Sequence, residues 1–241
     1  MSQKVIFYYI IPLERGVFML KRICIYIIGV LILGLGIVLN TKTGLGVAAI
    51  NSLPYALSEM TAFTLGTWTT IVYIVFIVIQ LCIYRKIDFK VVLQFPFSYV
   101  MGIIIDFYNQ TITYVPSSYF IALVLLGVAV ILTALGAYLV VSMDLVANPA
   151  DGMVSALGYL CHYEFGKMKM IFDCFMVALT TILSLFIAHH TIGIGIGTIV
   201  SMFAIGRLIM VYTRYSQDYL RHIVNESIRQ GGKENDQISC E

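Results

Sequence analysis

Six side chains draw attention because they are polar or ionisable yet lie in or beside long apolar runs: Asn51, Asp106, Asn148, Asp151, Asp173 and Arg207. Such groups at membrane depth cost free energy unless they are paired or face a water-filled path, so each is a candidate for a substrate or ion path. Asn148 followed by Pro149 reads as a helix start. The asparagine caps free amides, and proline at the first helical position gives up no hydrogen bond. At depth, that helix end favours an anion or orients Asp151; the plainer reading is a first-turn aspartate on a capped helix. Asp173 and Arg207 fall on successive apolar runs at similar depth. They are expected to pair with each other, as a structural ion pair or as a gate or substrate contact. Asp106, near the end of its run, is expected to face Thr69, Thr70 or Tyr73. It is either a cation or proton site or an interfacial aspartate exposed to water.

Other patterns point away from chemistry. The sequence has no nucleophile–base pair, no His-Glu-x-x-His and no carboxylates paired on one helix face, so no catalytic residue is assigned and an enzyme is not expected. The glycine run from Gly193 to Gly197 lacks the lysine and hydroxyl residue of a phosphate loop; it suits close packing or an unwound helix start. His189 and His190 have no carboxylate or cysteine nearby, which argues against a metal site. Cys24, Cys82, Cys161, Cys174 and Cys240 are scattered without paired spacing, so they read as small apolar residues packed among helices. No cofactor is implied. A net charge of +2 gives no support to a nucleic-acid partner.

The elements that must position these residues follow from composition. Of 241 residues 60% are hydrophobic and 12% charged, with a mean hydropathy of +0.92. Soluble domains carry about a quarter charged residues, so a chain this apolar needs the lipid bilayer as its partner. Six runs, near 20–39, 67–84, 91–109, 119–142, 168–188 and 192–212, are long enough to cross as helices. With the N-terminus inside, thirteen lysines and arginines fall on the inner side and only Lys42 on the outer. Both termini are therefore expected in the cytoplasm.

Two further apolar segments, 45–60 and 145–161, are short and broken by proline and glycine. If both crossed, Arg85, Lys86 and Lys90 would move outside, so they read as re-entrant or interfacial half-helices. Shifting the chain by 100 residues superimposes the halves: Leu35 on Leu135, Gly36 on Gly136, Leu45 on Leu145, Ala56 on Ala156 and Gly66 on Gly166. Both short segments fall at matching positions. The fold expected is an all-α, polytopic membrane bundle of about six transmembrane helices in two inverted repeats, each with a short half-helix. Residues 1–19 form an N-terminal cytoplasmic or interfacial segment, 20–110 the first repeat, 119–212 the second, and 213–241 a cytoplasmic amphipathic helix and tail.

The sequence resembles the YczE/YyaS/YitT group of bacterial integral membrane proteins. The likeness rests on Gly44-Leu45-Gly46, Leu65-Gly66-Thr67 and Gly102-x-x-x-Asp106. In the second half it rests on Asn148-Pro149-Ala150-Asp151-Gly152, Gly195-Ile196-Gly197-Thr198 and Gly206. It covers most of residues 25–212 and implies a place in the bacterial cytoplasmic membrane. That group has proline, one residue, then aspartate in each half-helix. Pro149 and Asp151 keep the pattern, whereas Ala49 and Asn51 depart from it, making the halves inequivalent. The expected function is a transporter or channel for a small polar solute or ion, with its path between the halves. The alternative is a non-transporting membrane partner of another protein or complex.

Overall fold

The structure, a computed structural model, describes residues 17–143 and 145–215. The expected interfacial N-terminal segment and amphipathic tail lie almost wholly outside the described residues. The helices are α1 (Val17–Lys42), α2 (Ala49–Met60), α3 (Leu65–Tyr84), α4 (Phe89–Val92), α5 (Gln94–Thr111), α6 (Tyr119–Ser142), α7 (Pro149–Cys161) and α8 (Phe165–Ala188). A last helix, α9, runs over Ile196–Tyr215. No strand occurs among the described residues. Among the described residues six helices are long and apolar enough to cross a membrane: α1, α3, α4 with α5, α6, α8 and α9. The chain is an integral, multi-pass membrane protein.

Local chemistry sets the boundaries. The second crossing begins at Leu65, two residues earlier than the hydropathy suggests, because the Thr64 hydroxyl accepts from the Thr67 amide at 3.2 Å. Ser118 caps α6 in the same way through Ile121. The third crossing breaks at Leu93 between α4 and α5. The sixth starts only at Ile196, because the preceding glycines are used by a loop contact described below. α2 and α7 have 12 and 13 residues, spanning about 18–20 Å at 1.5 Å per residue. A hydrocarbon core of about 30 Å is out of reach for either. Both are half-helices.

The bundle is organised around α1 and α6, its most extensive helix pair. A Cβ on Gly36 would lie 2.5 Å from the Thr133 amide nitrogen, a Cβ on Gly136 would strike the Leu33 backbone, and one on Gly29 would lie 2.8 Å from Leu139 Cβ. As residue numbers rise on α1 they fall on α6, so the two helices run antiparallel, backbone against backbone. Only glycine admits that approach. The other halves of the chain then pack crosswise: α2 lies against α8, and α7 against α3.

Two faces of the bundle can be told apart. On one, the Lys42 ammonium donates to the Asn109 carbonyl at 3.2 Å. On the other, Arg22 donates to the Met143 carbonyl at 2.5 Å and the Tyr26 hydroxyl to the Val146 carbonyl at 3.0 Å. They are called below the Lys42 face and, because the 20-residue α3 leaves the first beside Thr64 and ends at Arg85, the Arg85 face. Outward-facing side chains along the crossings are large and apolar, among them Val75, Ile103, Val124, Phe175 and Phe186, as a lipid-facing surface requires. Cys24, Cys82, Cys161 and Cys174 are also exposed and free. The expectation that they pack among the helices is therefore corrected: they are tolerated at the periphery because lipid does not penalise a small apolar thiol.

Candidate functional site

The half-helices bring their first turns inward, and each is held there by polar contacts. At the start of α7 the Asn148 side-chain oxygen accepts from the Ala150 amide at 3.3 Å, and Pro149 is the first helical residue. The capped start expected from the sequence is present. Gln80 on α3 and Gln94 on α5, both buried, exchange hydrogen bonds of 3.0 and 3.2 Å, and Gln80 also donates to the Pro149 carbonyl at 3.1 Å. Their counterpart in the first half is smaller. The buried Ser52 hydroxyl on α2 donates to the Ala49 carbonyl at 2.7 Å and meets the Thr180 hydroxyl of α8 at 2.9 Å. Thr180 is Gln80 shifted by 100 residues, and Ala49 is Pro149 shifted likewise.

The loops into the half-helices are fixed by backbone bonds. The Val47 amide donates to the Gly193 carbonyl and the Gly197 amide to the Leu45 carbonyl, each at 2.8 Å. Gly46 has φ of +106°, a conformation that L side chains rarely adopt, and a Cβ there would lie 2.5 Å from the Gly195 nitrogen. The glycine run ahead of α9 is thus both unwound and closely packed. Asn40 of α1 completes the loop, donating to Ser201 at 3.0 Å and accepting from the Ala48 amide at 3.1 Å.

Against this satisfied frame, four buried side-chain atoms among the described residues have no hydrogen-bond partner: Asn51 Oδ1, the Tyr73 hydroxyl, Asp173 Oδ1 and Ser184 Oγ. A buried polar group left unpaired costs about 1–3 kcal/mol, and an ionised one more. Tyr73 is 0% and Asp173 3% exposed. They occupy equivalent positions, 100 residues apart. Each lies eight residues from the start of its helix, about 12 Å along the axis. Asn51 and Asp151 are equivalent in the same sense, in the first turn of α2 and of α7. Asp151 and Asn148 stand within electrostatic reach of the Tyr73 hydroxyl, as Asp151 does of Asp173. Two of the four, on Tyr73 and Asp173, thus lie within reach of the start of α7, and a third, on Asn51, is in the opening turn of α2.

Charge is concentrated on one side of this region. The Lys169 ammonium lies 3.8 Å from Asp151 Oδ1 and 3.9 Å from Asp173 Oδ1. Asp173 is not paired with Arg207, contrary to the sequence expectation. Arg207 is exposed on α9, while Lys169, one turn before Asp173 on α8, supplies the nearby cation. An i, i+4 pair on one helix needs no partner from another.

Asp106 belongs elsewhere. Its two oxygens accept from the Thr64 hydroxyl at 2.6 Å and the Gly66 amide at 2.7 Å, closing the start of α3. The expected partners Thr69 and Thr70 instead donate to backbone carbonyls, Leu65 and Gly66 respectively, and Tyr73 faces α7. This fits the interfacial reading of Asp106.

Two cavities open on the Lys42 face, on either side of α2. One, of about 270 Å³, is lined by Lys42, Tyr55, Glu59, Asp106 and Asn109, among others. The other, of about 420 Å³, is lined by Tyr55, Glu59, His190 and Gly193 with their neighbours. Neither reaches Asn51, Asp151, Asp173 or Arg207. Of the six candidates singled out from the sequence, the structure groups Asn148, Asp151 and Asp173, sets Asn51 at the equivalent place in the other half, and separates Asp106 and Arg207. Tyr73, Gln80 and Lys169 were missed as members of the site. The 100-residue shift was the available signal, since it pairs Tyr73 with Asp173.

Residues 20–214 match a family model described as a family of unknown function, DUF6198. The chain is also 26% identical over 207 residues to the uncharacterized protein YyaS of Bacillus subtilis, covering 85% of this chain and 96% of that one. These findings bear out the resemblance drawn from the glycine and half-helix motifs. No solved structure matches.

Proposed function

The chain belongs to the DUF6198 family, whose function is unknown, and on its own geometry we propose that it is a carrier or channel for a small polar solute or ion. The observation that carries this is the set of unpaired buried atoms on Asn51, in the opening turn of α2, and on Tyr73 and Asp173, which both feel the charge of Asp151 in the opening turn of α7. A bundle that served only to anchor a partner gains nothing from leaving these groups unsatisfied. A path gains transient ligands. The antiparallel seam between α1 and α6 supports reading the halves as an inverted repeat, because a two-fold axis relating antiparallel helices lies perpendicular to them, in the membrane plane. On this reading α2 enters from one leaflet and α7 from the other, and their N-terminal ends meet the path. The Arg85 face, with Arg22, Lys86 and Lys169, is assigned to the cytoplasm, with both termini inside. The structure then represents a state open only shallowly, on the outer side.

The test is flux in proteoliposomes against a panel of small polar solutes and inorganic ions. Uptake is expected for wild type and a loss of tenfold or more for Asp173→Asn. A folded, monodisperse protein that moves none of them would favour the non-transporting membrane partner instead. Access is checked separately. In a variant lacking all five native cysteines, Asn51→Cys and Asp151→Cys are expected to react with a membrane-impermeant thiol reagent from opposite sides.

A further inference from the structure

The group Asp151, Lys169 and Asp173 carries two negative charges and one positive, so one negative charge is left over. The lone ammonium lies 3.8 and 3.9 Å from the nearer oxygens of the two carboxylates. Those distances are inside ion-pair reach but outside hydrogen-bond length, about 2.7–3.2 Å. Lys169 therefore sits between the carboxylates without being bound tightly by either. Asp173 Oδ1 is buried and accepts no hydrogen bond. A second observation is independent of the acidic pair. The wholly buried Tyr73 hydroxyl, on another helix, also has no hydrogen-bond partner, and the groups that act on it are Asp151 of the cluster and the neighbouring Asn148.

We propose that Asp173 is a cation-exchange position, where one added positive charge, a proton or a sodium ion, replaces the Lys169 ammonium as counter-ion. The inference rests on the transport reading above and names its coupling ion by class. Carboxylate and amide oxygens are the ligands a small hard cation takes, and a carboxylate oxygen is where a proton goes. The charge count closes: with the added cation the group becomes neutral, and no co-reactant is needed. Lys169 is a suitable resident counter-ion because its flexible four-carbon stem lets the ammonium leave Asp173 and stay with Asp151. The ionisable groups around Asp173 are Lys169 on its own helix, Asp151 on α7 and, beyond Asp151, Tyr73 on α3. The buried face of α2, which packs against α8, contributes only Ala49, Asn51, Ser52, Pro54 and Ala56.

The experiment reads equilibrium binding on the full chain in lipid nanodiscs, without flux. Thermal unfolding is followed in sodium chloride against choline chloride at equal ionic strength and fixed pH. In parallel, infrared difference spectra follow carboxyl protonation across pH. Wild type is expected to give either a saturable sodium-dependent rise in Tm or a titrating protonated-carboxyl band, which distinguishes the two cations. Asp173→Asn is expected to lose that signal, and Lys169→Gln to move its midpoint about tenfold toward weaker cation supply, since a competing charge has gone. Absence of both signals in wild type, or a signal that survives unchanged in Asp173→Asn, overturns the proposal. Should Asp173→Asn fail to fold, Asp173→Glu carries the test: an unshifted midpoint overturns the assignment. Flux without a cation signal removes the coupling site alone; a cation signal without flux removes the path and leaves the site.

Discussion

Asp106 and Asp173 are both aspartates on crossing helices, yet they differ in what surrounds them. Asp106 has each oxygen satisfied by a short hydrogen bond at the start of α3. Asp106→Ala leaves the Gly66 amide and the Thr64 hydroxyl without their acceptor and is expected to cost about 1–2 kcal/mol. This is checked as a lower Tm with flux per folded molecule retained. Asp173 holds an unpaired buried oxygen and a distant ammonium. Asp173→Asn removes a buried charge, so the expected outcome is an unchanged or higher Tm together with lost flux, measured on the same preparation. A residue kept only for stability would give the reverse. The sequence shows that both residues lie at depth, but not which one is satisfied. That depends on a threonine 42 positions away in one case and on a lysine four positions away in the other. The pairing expected with Arg207 failed for this reason: proximity along α8 outweighed similarity of depth across helices.

The half-helices were legible as elements because proline and glycine punctuate apolar stretches too short to cross, and because both recur after 100 residues. Asn148-Pro149 gave the start of α7 outright. Its counterpart could not be read the same way, since Ala48 offers no capping side chain and the loop before α2 is held by backbone bonds to the glycines ahead of α9. Two expectations follow at this scale. Asn148→Ala is expected to cost about 1 kcal/mol by loss of its cap, seen as a modest drop in Tm. Gly46→Ala, although a smaller chemical change, is expected to cost more, because its backbone angle and its contact with Gly195 both exclude a Cβ. Circular dichroism on the two variants ranks them. The two shallow cavities beside α2, by contrast, were not legible, because hydropathy reports which segments are apolar and says nothing of how tightly they close.

Across the whole molecule, the crossings and the 100-residue repeat follow from apolar run length and matched glycines, and the helices that form agree with them to within a few residues. What the glycines at 36 and 136 do became visible only when α1 and α6 were seen to meet there. Replacing either by leucine forces a bulky side chain against opposing backbone. Overpacking of this kind costs about 1–3 kcal/mol at minimum. Gly36→Leu and Gly136→Leu are each expected to reduce the yield of monodisperse protein in size-exclusion chromatography, whereas leucine at Gly127, which has open space around it, is expected to be tolerated.

The depth of Asp173 has an electrical consequence. A cation that reaches it from the Phe165 end of α8 travels about 12 Å, roughly two fifths of a 30 Å hydrocarbon layer. Moving one elementary charge across the full layer is worth about 2.3 kcal/mol per 100 mV, so occupancy of this position feels about 0.9 kcal/mol of every 100 mV applied. Tyr73, its uncharged counterpart in the other half, feels none. Voltage across the membrane therefore acts on the proposed site of one half and not on its counterpart, and under the proposed transport cycle it would favour one orientation even without substrate.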